Sequence, residues 1–191
     1  MSFPILTILA LLPLVGGAII LGVKGRSGRA TGLVISTVTA VLGVIAFIAA
    51  ANGTDVSENY HWIKAIGAWY ALSSDGLGMT LVLMTVVLVP VVLLAEWDIG
   101  EKEPSGAPQT WGANVFSGLA LMTEGLAIYC FTAVDVLFFY LIFEASLVPM
   151  YFLISGWGGE RRRRAAIKFL IYSLAGGLVM LFGVIGVGLH G

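Results

Sequence analysis

Six apolar runs of about twenty residues each make up most of the sequence. The apolar core of a bilayer is about 30 Å thick, and an α-helix needs about 20 residues to cross it. A backbone in lipid must satisfy its own hydrogen bonds, so runs of this kind are expected to be helices. They cover about 3–23, 30–51, 77–97, 113–133, 134–156 and 165–189. We therefore predict an all-α, polytopic membrane protein with six transmembrane helices.

The composition excludes several other classes of protein. Hydrophobic residues make up 59% of the chain and charged residues 11%, whereas soluble domains carry about 25% charged residues. The net charge of −1 gives no electrostatic basis for binding nucleic acid, so the expected surrounding is the lipid bilayer. The single cysteine, Cys130, permits no internal disulfide and is expected to be a core residue. We find no nucleotide, zinc or haem motif, and any redox chemistry is expected in another chain.

The basic residues predict how the chain is oriented in the membrane. Eight of the nine loop lysines and arginines fall on one side of the six spans, and the positive-inside rule assigns that side to the cytoplasm. This count puts the N-terminus outside and requires the long run 113–156 to be two helices. No positive charge precedes the first span, which is therefore expected to be a retained helix and not a signal peptide. The eight residues are Lys24, Arg26, Arg29, Lys102, Arg161, Arg162, Arg163 and Arg164, and the ninth is Lys64.

Two regions outside the apolar cores carry further expectations. Segment 52–75 is amphipathic, with Trp62, Ile63, Ile66, Trp69 and Tyr70, and is predicted to form an interfacial lid or a short hairpin. Asp135 lies between the fourth and fifth spans and is expected to be a helix cap or turn residue. The arginine run is interpreted as a topology anchor, with a patch for lipid headgroups or nucleic acid as the alternatives.

Glu144 is the strongest candidate for a functional residue. It lies near the middle of the fifth span, where an ionisable side chain costs roughly 3 kcal/mol and cannot reach either surface. Pro149 has no N–H for the carbonyl of Ala145, so we expect a helix break beside the acid. A carboxyl in such a place is expected to hold a proton unless a cation is close. This predicts a proton-relay site, with structural hydrogen bonding as the alternative.

Glu124 and Lys168 are the other ionisable candidates within the spans. Glu124 lies at a similar depth to Glu144 in the neighbouring span, and the two carboxyls are expected to share a proton or a cation. Alternatively, Gly125 lets a protonated Glu124 bond to a nearby backbone. Lys168 begins the sixth span, where it either serves the acids or extends its ammonium group to the surface.

These residues stand in stretches that resemble a known family. Two stretches resemble the fifth helix of the M subunit (chain 4) of NADH–quinone oxidoreductase, respiratory complex I: Phe131–Tyr140 and Phe143–Ile154. Trp157–Gly159 resembles the loop that follows it, and Ala165–Tyr172 resembles the sixth helix. Tyr70–Leu77 resembles the entry to its third helix. The pattern of a glutamate, four residues and Pro-Met-Tyr is specific to this subunit.

The resemblance implies a proton-translocating antiporter-like subunit of about fourteen helices. Glu144, Lys168 and, less specifically, Glu124 would serve proton translocation, coupled to NADH oxidation and quinone reduction in other subunits. FMN, iron–sulfur clusters and quinone would be held by those partners, with no cofactor in this chain. The protein would lie in the bacterial inner (plasma) membrane, beside the other membrane subunits of complex I.

The sequence departs from the family in length. It corresponds to the N-terminal part only, with residues 1–112 forming three helices and an outer loop. Residues 113–191 would begin the proton-translocating repeat, whose next helix and partner repeat are not in this sequence, so we expect a truncation. Two alternatives stay open: a subunit of a multisubunit sodium/proton antiporter, and a non-transporting membrane scaffold. The scaffold reading predicts that Glu124 and Glu144 have hydrogen-bond partners in a dry interface.

Overall fold

The computed structural model describes residues 4–22, 27–63, 68–97 and 111–190. Within these residues six helices are long and apolar enough to cross a membrane, which confirms the six predicted spans. Lys24, Arg26, Lys64, Ile66 and Lys102, and the side chains of Trp62 and Ile63, were used in the sequence predictions and lie outside the described residues. The helices are α1 (Ile5–Gly22), α2 (Ser27–Ala51), α3 (Gly76–Ala95), α4 (Ala113–Thr132), α5 (Val136–Trp157) and α6 (Arg162–His190).

The long apolar run at 113–156 is divided where the sequence predicted. Helix α4 ends at Thr132 and α5 begins at Val136. Asp135 is the N-cap of α5, and its Oδ1 accepts a hydrogen bond of 2.8 Å from the backbone N–H of Phe138. The prediction of a cap at Asp135 is therefore confirmed. The carboxylate satisfies an N–H that would otherwise lack a helical partner.

The sixth helix begins three residues earlier than predicted. Helix α6 starts at Arg162, so the end of the arginine run forms its first turn. The reason is that a helix can extend past the apolar core, where charged side chains reach water while the backbone stays hydrogen-bonded. The Arg162 guanidinium also donates a 3.0 Å hydrogen bond to the carbonyl of Gly156, which closes the short connection from α5.

A two-stranded hairpin joins α2 to α3. Strand β1 (Glu58–Ile63) pairs antiparallel with β2 (Ala68–Leu72), with a register irregularity between His61 and Ile63. The hairpin alternative for segment 52–75 is therefore confirmed, and it adds the only strands in the described part of an otherwise helical chain. The α4–α5 connection lies along β2, where the Val134 N–H donates to Ala71 and the Ser73 N–H donates to Thr132.

The chain alternates between two ends of the bundle. At the hairpin end, the strands meet the start of α1, the end of α4 and the start of α5. At the opposite, arginine end, Arg29 donates to the carbonyl of Trp97. Rings also pack at the arginine end, where Trp157 contacts Trp111 and Phe116. Aromatic rings at a helix boundary are typical of a membrane–water interface.

Helix α4 lies at the centre of the bundle and crosses α1 at glycines. A Cβ placed on Gly17 would lie 2.5 Å from the carbonyl oxygen of Gly118, and one on Gly125 would lie 2.5 Å from that of Ala10. Both clashes are with backbone atoms, which cannot move aside as a side chain tip can. The two helices are therefore in backbone contact, as small residues permit in membrane helix pairs.

We predict that Gly125→Ala destabilises the bundle. The added methyl overlaps the Ala10 carbonyl, and overpacking of this kind costs about 1–3 kcal/mol. Thermal unfolding in detergent should show a midpoint several degrees below that of the unmodified protein. Gly22→Ala is the matched control, since nothing lies within 4 Å of a Cβ there. Equal midpoints for the two variants would contradict the packing described.

Candidate functional site

Glu144 lies in the interface between α5 and α6. Its Oε1 is buried against Gly177 of α6, so close that a Cβ on Gly177 would overlap it. This oxygen has no hydrogen-bond partner among the described residues. The side chain as a whole is half-buried. Glycine at position 177 therefore leaves room for a carboxyl group between two helices, halfway along α5.

Pro149 lies within α5, five residues after Glu144. The helix continues from Val136 to Trp157, and Pro149 is buried. Proline carries no N–H, so the carbonyl of Ala145 lacks its usual donor one residue from the acid. Ser146 is also beside the acid, and its hydroxyl donates 2.6 Å back to the carbonyl of Phe143. The helix break at Pro149 stays a prediction. The Ala145 carbonyl next to Glu144 lacks an N–H donor with or without a break, because residue 149 is a proline.

Glu124 occupies a different interface. It is 1% exposed, and its carboxyl lies beside the hydroxyl of Ser36 on α2. Glu144 faces α6 instead, so the structure does not bring the two carboxyls together as the sequence analysis expected. Residues that are neighbours in depth need not share a face, because each helix turns its side chains through about 100° per residue.

Lys168 is exposed on α6. It precedes Gly177 by nine residues, which is two and a half turns, about 13 Å along the axis and on the opposite face. The face of α6 that meets Glu144 is therefore not the face that carries Lys168. Within this chain the lysine and the acid are not brought together, and Lys168 is directed to a side of α6 that the described residues leave open.

A second buried acid, Glu58, was not singled out from the sequence. It lies on β1, is 2% exposed, and its Oε1 accepts hydrogen bonds from the backbone N–H groups of Leu6 (2.8 Å) and Thr7 (3.0 Å). These are first-turn donors of α1, which have no partner within the helix. The carboxylate therefore caps α1 from a distant strand and meets the positive end of the helix dipole.

Hydroxyl groups extend from this cap into the bundle. The Thr7 hydroxyl donates a hydrogen bond to Glu58 and lies 2.6 Å from the Tyr70 hydroxyl. The Tyr70 hydroxyl in turn donates a 3.3 Å hydrogen bond to the Tyr129 hydroxyl on α4.

Nearer the surface, Ser57 and Ser74 hydrogen-bond to Asp55 and lower the pKa of its exposed carboxyl. No sequence signal marks Glu58, because only the tertiary contact with α1 shows that it is buried.

We predict that Glu58→Gln loosens the hairpin end. The amide keeps the shape of the side chain but loses the charge that meets the α1 terminus, at a cost of about 1–3 kcal/mol. Hydrogen–deuterium exchange should become faster in the hairpin and the first turn of α1. Glu96→Gln, at the exposed C-cap of α3, serves as the control. Unchanged protection in Glu58→Gln would show that the cap contributes little.

Known proteins match the part of the chain that contains these candidate residues. Residues 133–190, which contain Glu144, Pro149 and Lys168, match the family model for the transmembrane part of NADH:quinone oxidoreductases and Mrp antiporters. Subunit M of NADH-quinone oxidoreductase from Mycobacterium tuberculosis is 38% identical over 97% of the chain. Subunit M of the F(420)H(2) dehydrogenase from Methanosarcina mazei is 32% identical over 96% of the chain.

The fold agrees with these sequences. A chain of respiratory complex I from Thermus thermophilus superimposes with a TM-score of 0.80 and 30% identity over 96% of this chain. The fold is thus that of a multi-pass membrane protein and is similar to a chain of complex I. More narrowly, the chain is homologous to the N-terminal part of subunit M, also called chain 4, of NADH–quinone oxidoreductase. It spans 38% of the length of the M. tuberculosis relative and 36% of the M. mazei relative.

Proposed function

We propose that the chain forms the Glu144-containing part of a proton-translocating membrane subunit of NADH–quinone oxidoreductase. Residues 113–191 would begin the translocating repeat, and residues 1–112 would support it with three helices and the hairpin. The observation that carries the proposal is a carboxyl group in the middle of α5 whose Oε1 is buried against α6 without a partner among the described residues. Such acids within membrane spans usually serve ion or proton pathways.

The chemistry follows from the surroundings of Glu144. An uncharged carboxyl is the favoured form where no cation compensates the charge. An ammonium group that approached would favour the carboxylate and release the proton, and its withdrawal would favour uptake again. Lys168 would take part only through a contact on the far face of α6, whereas Glu144 would carry the proton itself. Pro149 would assist by leaving the Ala145 carbonyl free beside the acid.

The alternatives fit the observations less well. The family model covers Mrp antiporters too, but the relatives named above are quinone oxidoreductase and F(420)H(2) dehydrogenase subunits. A non-transporting scaffold predicts hydrogen-bonded acids in a dry interface. Glu144 Oε1 has no hydrogen-bond partner within the described chain, which argues against that reading.

The cellular setting belongs to the same proposal. The chain would pack against other membrane subunits, which would be coupled to subunits holding FMN, iron–sulfur clusters and quinone. Arg29 and Arg161–Arg164 all lie at the arginine end, which the positive-inside rule assigns to the cytoplasm. The hairpin end and the N-terminus would then face outward, in a bacterial plasma membrane. Nucleic acid is not among the proposed partners.

We predict that Glu144→Gln in the intact subunit abolishes proton translocation. Glutamine keeps the size of the side chain but binds no proton, and a positioned proton-transfer group typically contributes about 10²–10⁴-fold to a rate. The test uses inverted membrane vesicles that contain the assembled complex, with NADH oxidation and proton uptake measured together. Uptake should fall by at least roughly a hundredfold.

Glu160→Gln is the matched control, because it makes the same chemical change at an exposed position in the α5–α6 connection. This variant should pump normally. Blue-native gels would verify that both variants assemble. Normal pumping by assembled Glu144→Gln would contradict the proposal.

A further inference from the structure

Ser36 differs from the other described hydroxyl residues near it. On α2, Thr37 and Thr39 donate to the carbonyls of Leu33 and Ile35, four residues back. On α4, Ser117 and Thr123 make the same kind of bond to Ala113 and Leu119. Such back-bonding is the usual way for a helical hydroxyl to be satisfied in an apolar setting. The Ser36 hydroxyl, fully buried, makes no hydrogen bond within the described residues.

The Glu124 carboxyl lies beside this unpaired hydroxyl. Both carboxyl oxygens are buried and have no hydrogen-bond partner in the described part of the chain. Three buried oxygen atoms, one from Ser36 on α2 and two from Glu124 on α4, therefore lie together between the two helices. Leaving such groups unpaired in an apolar interface is destabilising, so a buried site of this kind is expected to satisfy them with a proton or an ion.

The surrounding helices enclose this place on several sides. A Cβ on Gly32, one turn before Ser36, would lie 3.0 Å from the Cβ of Ser117, so α2 and α4 are close there. Gly125 brings α1 into backbone contact immediately after Glu124. The nearest basic group on this face of α2 is Arg29, two turns away, and its guanidinium donates to Trp97 at the arginine end. No ion pair to Glu124 occurs among the described residues.

We propose that Glu124 and Ser36 form a second, occluded proton-binding site between α2 and α4. The Glu124 carboxyl holds the proton and donates it in a hydrogen bond to the Ser36 hydroxyl oxygen, which a small rotation of either side chain completes. Ser36 is a positioning residue, since it orients the acid that binds the proton. The ligand is a proton, because a neutral carboxyl is the form that needs no counter-charge in an apolar interface.

This site is separate from the Glu144 site. Glu124 faces α2 across the interior of the bundle, whereas Glu144 faces α6. The proposal concerns which form of Glu124 is present and what it bonds to. It does not depend on the proposed function, and a failure of Glu144→Gln to stop pumping would leave it untouched.

Infrared difference spectroscopy of the intact complex in lipid tests the proposal. A protonated carboxyl has a carbonyl stretching band that a carboxylate lacks, and its frequency depends on hydrogen bonding. The spectrum of the unmodified protein minus that of Glu124→Gln should contain one such band. In Ser36→Ala the band should shift to the frequency of a carbonyl whose acid is not bonded to a hydroxyl, and Ser36→Thr should restore it.

Two control variants separate this site from its surroundings. Thr39→Ala removes an equally buried hydroxyl on the same helix that is bonded to its own backbone, and it should leave the band in place. Glu144→Gln should also leave it in place. Either variant removing the band would assign it elsewhere and overturn the proposal.

Three further outcomes would overturn the assignment. The first is that no band is lost in Glu124→Gln, which would mean that Glu124 is ionised. The second is a band that does not respond to Ser36→Ala, which would leave Ser36 without the positioning role. The third is loss of the band on addition of sodium ions to the unmodified protein, which would make the site a cation site and not one reserved for a proton.

Discussion

The absence of water from the bilayer interior governs this structure. A polar group in lipid must find its partner inside the protein, so each helix is closed on itself and each crossing ends where partners become available. At the hairpin end, Asp135 caps α5 and Glu58 caps α1. The two carboxylates accept hydrogen bonds from first-turn N–H groups, which have no partner within their own helices.

Because polar groups in lipid need partners inside the protein, the hydrogen bonds of the buried acids are informative. Glu58 is as buried as many core residues, but its carboxylate accepts bonds from two backbone N–H groups and a hydroxyl. Glu124 and Ser36 are buried to a similar degree without hydrogen bonds among the described residues. Burial alone therefore does not distinguish structural acids from functional ones. The hydrogen bonds do differ, because the fold satisfies the carboxylate of Glu58, whereas the carboxyl of Glu124 would be satisfied by the bound proton that we propose above.

The sequence predicts the large-scale arrangement well for a physical reason. Helix number and length follow from bilayer thickness, and the positions of Asp135 and Glu144 along their helices follow from residue counting. The direction of a side chain depends instead on which face each helix buries. With apolar residues on all sides of a helix, the pattern gives little information on this face. For that reason the sequence placed Glu124 with Glu144, and it gave no indication of Ser36 or of the burial of Glu58.

The hydrogen bonds between β2 and the α4–α5 connection have a consequence for biosynthesis. Residues 132–134 supply a donor and an acceptor to the outer edge of β2, and they are made some sixty residues after the strand they complete. A ribosome releases the chain from its N-terminus, so the hairpin first emerges with one edge open. It reaches its final form only after the next two crossings have entered the bilayer. The small sheet therefore depends on the order of insertion, since its second edge is paired only after four helices have been made.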